Sequence, residues 1–456
     1  MSVAKVLTGK EEVTQETWLQ TFTNKFSNFL HRFLPEPFVF AILLTFIIFV
    51  MGITIEHKSV GEMAGYWSEG FWNLLSFTMQ MVMMVVTGYA LAQSAPIRRL
   101  LNGIAGRVKT VRGAIVTATL VGLVASYLNW GFGLIVGTLM AQQLAKQVRG
   151  THYPVLVSSA YVGWILYGIG ISATIPLTIA TPGNPFEASM GLIPLANTIF
   201  QPGVLIALVI LAITLPLVNI LIHPRASNVQ EIKHHDFSEE RLVPAKGEDQ
   251  TPAQKLEHSK VLALLVVLFG VAYLYHHFVV KQGSLDINSV NSIFLFLGIL
   301  FHGSLKNYIL AINDSVKTAG GMVLQFPFYA GIMGMMAGSG IVVTISDWFV
   351  SFSNAQTLHF WGFISSFFIN FFVPSSGGHW AVQGPFMVEA AKTLGADLGK
   401  MSTAVQMGSS WNDLVNPFWL LPVIALSKLS ARQIMTYTLI PFLYMGIVFG
   451  ITVLIW

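Results

Sequence analysis

Apolar stretches of about twenty residues recur along this chain, and that recurrence limits its fold more than any other feature. About 20 apolar residues in a helix cross a hydrocarbon core of about 30 Å. In that core every backbone N–H and C=O must be paired internally, so a spanning segment is a helix or part of a closed barrel. Long unalternating apolar runs select the helix. The composition agrees: 54% of the 456 residues are hydrophobic and 10% are charged, against about 25% charged in a soluble domain. The mean hydropathy is +0.65. An all-α, polytopic membrane protein follows. The chain has no cysteine, which excludes disulfides, thiolate chemistry and Cys-based metal sites. The polar start, MSVAKVLTGKEEVTQETWLQTFTNKF, lacks the apolar core of a signal peptide, so no cleavage is expected.

Full spans are expected at 37–55, 71–95, 153–180, 200–222, 259–280, 288–304, 319–337, 400–427 and 432–455, about nine in all. Segments 113–147 and 357–394 are too long for one helix and carry small or polar residues in the middle. Each reads as a re-entrant hairpin. With the N-terminus in the cytoplasm, all 25 Lys and Arg except Lys58, Lys281, Lys392 and Lys400 fall on the cytoplasmic side, as the positive-inside rule requires. The C-terminus is then expected on the opposite side of the membrane. The organisation is a cytoplasmic segment 1–36, a first unit 37–222, a charged linker 223–258 and a second unit 259–456. The linker holds His234, His235 and His258; a solvated linker explains them more simply than a metal does.

The two units resemble each other. Gln80 pairs with Gln325, Asn129 with Asn370, and Pro176 with Pro422, at offsets of 245, 241 and 246 residues. The first hairpin starts from the cytoplasm and the second from outside, so the repeats are inverted. Inverted repeats with paired interrupted segments are the organisation of secondary transporters, with the substrate near the midplane.

The interruptions supply the chemistry. In FFVPSSGGHWAVQGPF, residues 371–386, Pro374 ends the incoming helix and Ser375 and Ser376 suit an N-cap. Gly377 and Gly378 are expected to make a tight reversal. The returning helix then offers free N–H groups and a positive dipole end to an anion. His379, with Gln383 one turn on, reads as a carboxylate or proton ligand, or as a structural hydrogen bond closing the hairpin. The first tip offers Asn129 and Trp130 and no ionisable group. In GSSWNDLVNPFW, residues 408–419, Asn412, Asp413 and Asn416 interrupt an apolar span. Its counterpart, WILYGIGIS, holds Gly168. Broken helices expose carbonyls that hold cations. Asp413, with Asn370 nearby, is the candidate for Na⁺ or H⁺ coupling, or else a buried acid paired with an amide. No cofactor and no nucleic-acid partner is expected beyond that ion and the membrane lipid.

NFFVPSSGGHWAVQGPFMVEAA and GSSWNDLVNPFWLLP resemble the bacterial short-chain fatty acid transporter family, the AtoE type. The resemblance runs from about residue 20 to 456. It implies a secondary carrier of small monocarboxylates such as acetoacetate or butyrate. It also implies membership of the ion transporter superfamily that includes dicarboxylate–sodium symporters. There, scaffold domains dimerise and a transport domain with two hairpins moves as an elevator. By that similarity 113–180 and 357–427 are transport domain. The Ser-Asn-Thr hairpin motif of the dicarboxylate symporters is absent here. Independently, no Lys or Arg lies in either tip or break, which suits one carboxylate with a short alkyl tail. A carrier for dicarboxylates or another small organic anion is the alternative reading. A channel would need a continuous polar pore, and no GxSxG or HExxH motif supports an enzyme.

Overall fold

The computed structural model describes residues 36–224, 228–232 and 251–456, and among these every regular element is helical. The N-terminal segment before residue 36, the His234–His235 pair and most of the linker lie outside the described residues. The helices run α1 Pro37–Thr54, α2 Val60–Gly70, α3 Leu75–Ala92, α4 Ala95–Arg107, α5 Val111–Leu128, α6 Trp130–Gln147, α7 Tyr153–Trp164, α8 Thr174–Ile179, α9 Glu187–Met190 and α10 Pro202–Leu221. After the linker come α11 Pro252–Glu257, α12 Lys260–Tyr275, α13 Ile287–His302, α14 Leu305–Ser315, α15 Gly320–Ser339, α16 Ile341–Phe352, α17 Leu358–Ile369, α18 Ser376–Leu394, α19 Leu398–Asp413, α20 Leu420–Ser427, α21 Ala431–Met435 and α22 Leu439–Ile455.

Polarity is distributed opposite to that of a soluble protein. Phe46 on α1, Ile213 on α10 and Phe269 on α12 are exposed, whereas Ser158, Gln406, Ser409, Asn412 and Asp413 are buried. Helices apolar on all sides at the periphery suit a hydrocarbon solvent. Among the described residues six helical stretches are long and apolar enough to cross a membrane: α1, α3, α5, the interrupted run Tyr153–Ile179, α10 and Lys260–Val280. A seventh is gained if α15 and α16, bent by 79° at their junction, count as one span. The expected span 288–304 is a helix of 16 residues, and 432–455 divides into the short α21 and the 17-residue α22. The expected span 400–427 is two helices, α19 and α20, separated by 414–419.

Both interrupted segments fold as helix–break–helix. In 113–147 the break is one residue, because Asn129 is at once the C-cap of α5 and the N-cap of α6. In 357–394, α17 ends at Ile369 and α18 starts at Ser376. Here the expected glycine reversal is corrected: Gly377 and Gly378 lie in the first turn of α18, and neither has a positive φ. Their missing side chains serve packing instead. A Cβ on Gly378 would sit 2.5 Å from the Tyr329 ring, and one on Gly377 3.0 Å from Phe77. The reversal is made by residues 370–375, ahead of them.

Helices α5 to α7 pack on one another, and α17 packs on α19 in the second unit. Helix α3 covers α6, and α15 covers α18. The described end of the linker is pinned beside α7. Gln230 N–H donates to His152 Nδ1 at 2.9 Å, and its carbonyl accepts from Tyr153 N at 2.9 Å.

Candidate functional site

The helix breaks together bring aromatic and short polar side chains around one pocket. At the first tip the Asn129 amide caps α6 by accepting from Phe132 N at 2.9 Å. Its Nδ2 donates to the Met84 carbonyl at 3.2 Å, which docks the tip on α3. Asn129 is thus a buried anchor, and the next residue, Trp130, faces the centre. At the second tip Ser375 is the N-cap of α18 without a side-chain cap bond. Indoles from the two broken helices hold the tips in place. Trp164 Nε1 donates to the Trp130 carbonyl and Trp419 Nε1 to the Pro374 carbonyl, both at 2.7 Å. The Trp130 and Trp419 rings meet edge-on at 5.2 Å.

A narrow pocket lies between the tips. Ser375, Ser376, Gly377, Thr174 and Tyr167 give it a polar side, and Trp130, Trp164, Trp419, Met81 and Met322 an apolar one. No Lys, Arg, Asp or Glu lines it. Trp130 Nε1 is buried without a hydrogen-bond partner. An orphaned donor in a buried site costs about 1–3 kcal/mol unless something occupies it.

Behind Ser376 a closed circuit of hydrogen bonds reaches Asp413. Ser376 Oγ lies 3.1 Å from Tyr167 Oη, which donates to Asp413 Oδ2 at 2.9 Å. Asp413 Oδ1 accepts from Asn370 Nδ2 at 2.9 Å. Asn370 Oδ1 accepts from Ser409 Oγ at 3.0 Å, and Ser409 Oγ lies 3.0 Å from Ser376 Oγ. Asn416 Nδ2 donates to the Asn370 carbonyl and to Asn412 Oδ1, both at 3.1 Å. Four of the five residues expected around the coupling ion, Asp413, Asn412, Asn416 and Asn370, are therefore in one cluster. Asn370 Nδ2 also sits 3.1 Å from both the Ser409 carbonyl and Asn412 Oδ1. Carboxylate, amide and main-chain oxygens of this kind suit a small hard cation. Among the described residues no group of three or more His, Asp or Glu is placed to hold a metal. Gly168 lies where the broken helices cross: a Cβ there would be 2.2 Å from Ser410 Oγ.

His379 and Gln383 fall elsewhere. His379 is fully buried, and its Nε2 contacts Ser366 Oγ at 3.0 Å and Gln383 Oε1. Gln383 Nε2 donates to Ser365 Oγ at 2.9 Å and to the Gly362 carbonyl at 3.2 Å. Both side chains tie α18 to α17, away from the cavity lining. Gly378 is likewise used against Tyr329. Of the expected substrate ligands, Ser375, Ser376, Gly377 and Trp130 line the cavity.

A model of the short chain fatty acid transporter family matches residues 18–456. The chain belongs to that family. It is 40% identical over 426 residues to an Escherichia coli (strain K12) protein named for short-chain fatty acid transport, covering 93% of this chain and 97% of that one. A Haemophilus influenzae protein of the same name is 38% identical over 431 residues, with 93% and 96% covered. The fold resembles that of the crystal structure of the Alcanivorax borkumensis YdaH transporter, a protein of unusual topology. The TM-score is 0.59 at 13% identity, over 91% of this chain and 98% of that one. The family is one of membrane-spanning transporters, not enzymes. Within this family member, sequence reasoning missed Tyr167, Trp164 and Trp419. The one signal for them was proximity to the breaks, in a chain where 12% of residues are aromatic.

Proposed function

We propose that this protein is a secondary carrier of short-chain monocarboxylates that binds its substrate in the cavity between the two tips. The observation that carries this is the cavity's composition. The Trp130 indole N–H has no partner, Ser375 and Ser376 stand opposite an apolar wall of Met81, Met322 and Trp419, and no basic residue lines the space. One carboxylate can be met by neutral donors and the first turn of α18, while a dianion would lack countercharge. A short alkyl tail would pack against the methionines and indoles.

The remaining parts of the reading are an ion-coupled symport with Na⁺ or H⁺ at Asp413 and an elevator movement of two re-entrant hairpins in inverted repeats. A homodimer formed through scaffold spans, a kinship with the dicarboxylate–sodium symporters and an inner-membrane location complete it. In support, each unit contains a helix pair (α3–α4; α15–α16), a helix–break–helix segment and a broken helix, in that order. The test is uptake of labelled butyrate into proteoliposomes, with Na⁺ and pH gradients imposed separately. Saturable uptake driven by one gradient and competed by acetoacetate is expected. Trp130→Phe should raise the apparent KM about tenfold, the loss of one charge-assisted hydrogen bond. Non-saturable flux overturns the carrier reading, and preferential competition by succinate overturns the monocarboxylate reading.

A further inference from the structure

The circuit behind Ser376 has a property that follows from counting protons. Its polarity is fixed on one arm: Ser409 donates to Asn370, and Asn370 donates to Asp413. On the other arm the single proton of Tyr167 has two possible acceptors, Asp413 Oδ2 at 2.9 Å and Ser376 Oγ at 3.1 Å. An ionised carboxylate accepts only. While Asp413 carries its negative charge, Tyr167 must donate to it, because the carboxylate oxygens are met by the neutral donors Tyr167 and Asn370. A buried anion held by neutral donors alone needs each of them. The titratable groups that face it are Tyr167 and Tyr161, and Tyr161 donates to the Asp413 main-chain carbonyl at 2.6 Å instead. His379, on the other face of α18, bonds Ser366 and Gln383.

Tyr167 also lines the cavity, beside Ser375 and Ser376. Its hydroxyl is therefore wanted by two anions, the Asp413 carboxylate and a carboxylate in the cavity, and it has one proton to give. We propose that Tyr167 is the coupling element between cation and substrate: a monovalent cation that neutralises Asp413 releases the Tyr167 proton to the substrate carboxylate. This rests on the carrier reading above and adds to it the residue through which the two sites communicate. Without the cation, substrate and Asp413 compete for one hydrogen bond. With it they do not, so each ligand raises the affinity for the other by the same factor. The mechanism needs positive charge at Asp413 and works alike for Na⁺ or H⁺. Ser376 sets the geometry, since it also accepts from Gln406 Nε2 at 3.2 Å and so has an acceptor position already filled.

The experiment measures butyrate affinity by calorimetry on the purified protein in nanodiscs. One arm compares Na⁺ with choline at fixed pH; the other compares pH 6.5 with pH 7.5 in choline. The wild type should gain affinity at least fivefold in one arm, and that arm identifies the cation; the size is that of an ordinary coupling between sites. Tyr167→Phe removes the proton and keeps the ring. It should bind butyrate more weakly and shrink the gain to less than twofold. Tyr161→Phe, the same change at a neighbouring hydroxyl bonded to the Asp413 main chain, should keep the wild-type gain, which separates coupling from general damage to the fold. A Tyr167→Phe variant with the full gain overturns the proposal while leaving the carrier reading intact. A wild type that transports butyrate but gains in neither arm also overturns it. Absence of any butyrate binding or uptake by the wild type defeats the carrier reading itself.

Discussion

Glycine and histidine in the middle of a membrane protein invite functional readings, and here their contacts decide between roles. Gly168 is needed because two broken helices cross at it: an added Cβ would meet Ser410 Oγ at 2.2 Å and Ser410 Cβ at 2.6 Å. Gly168→Ala should destabilise the fold by about 1–3 kcal/mol, as overpacking does, and lower the melting temperature in detergent. Ser410→Gly in the same chain should recover much of that loss; no recovery would place the strain elsewhere. His379 is a second case. Its buried Nε2 joins Ser366 and Gln383, so His379→Ala removes a brace between α18 and α17. We expect a melting temperature lower by several degrees and a butyrate KM within twofold of wild type. A tenfold rise in KM with unchanged melting would instead bring the imidazole to the substrate. The acid–amide cluster was legible in the sequence because Asn412, Asp413 and Asn416 are conspicuous in an apolar span. Tyr167 was not, because a tyrosine among greasy residues carries no signal until its hydroxyl has partners. The Gly377–Gly378 pair was misread because glycine marks a reversal and a close helix contact equally well.

Among the elements, the interruptions were the legible part, since polar and small residues cannot lie in hydrocarbon without a reason. The bend between α15 and α16 was not. Gly340, at φ +100, turns the chain by 79° into an amphipathic second helix that hydropathy alone does not separate from a loop. Nor was the docking of the linker on α7. There the His152 imidazole accepts the Gln230 N–H, and His152 N–H donates to His223 Nε2 at 3.2 Å. Burial, and then the neighbouring His223, lower the His152 pKa from its ordinary 6.5 to about 4. The docked form thus requires the neutral ring, whereas an undocked ring takes a proton near 6.5. Docking is then complete above that pH and weakens as pH falls from about 6.5 toward 4. Hydrogen exchange at the Gln230 amide should accelerate, relative to intrinsic rates, over that window, and His152→Phe should leave the amide unprotected at all pH values. Protection that does not change with pH would mean that the His152 bond does not hold the linker. The tips themselves are testable as elements. Trp130 and Ser376 line one pocket, so cysteines at 130 and 376, in a chain with none of its own, should be joined by a short bifunctional maleimide. Persistent failure in a pair that still folds would separate the tips.

At the scale of the whole molecule, the charges are what an orientation can be argued from. Arg98, Arg99, Arg107, Lys109 and Arg112 lie on and just after α4, and Lys428 and Arg432 lie between α20 and α22. The basic residues Lys255 and Lys260 flank the entry to α12, whereas Lys281 follows its exit. Positive charge near span ends is retained on the cytoplasmic face, so the linker is expected inside and the α12–α13 turn outside. Nothing in the packing enforces this choice, because helices bury the same area whichever way the molecule is inserted; the charge distribution alone selects it. Two single-cysteine variants test it: Asn228→Cys in the linker and Lys281→Cys beyond α12, both exposed positions separated by one span. A membrane-impermeant maleimide added to intact cells should label Lys281→Cys and leave Asn228→Cys unmodified until the membrane is permeabilised. The reverse pattern would invert the molecule and put the linker outside. Labelling of both in intact cells would mean that Lys260–Val280 does not cross, which its 21 residues at a mean hydropathy of 2.0 argue against.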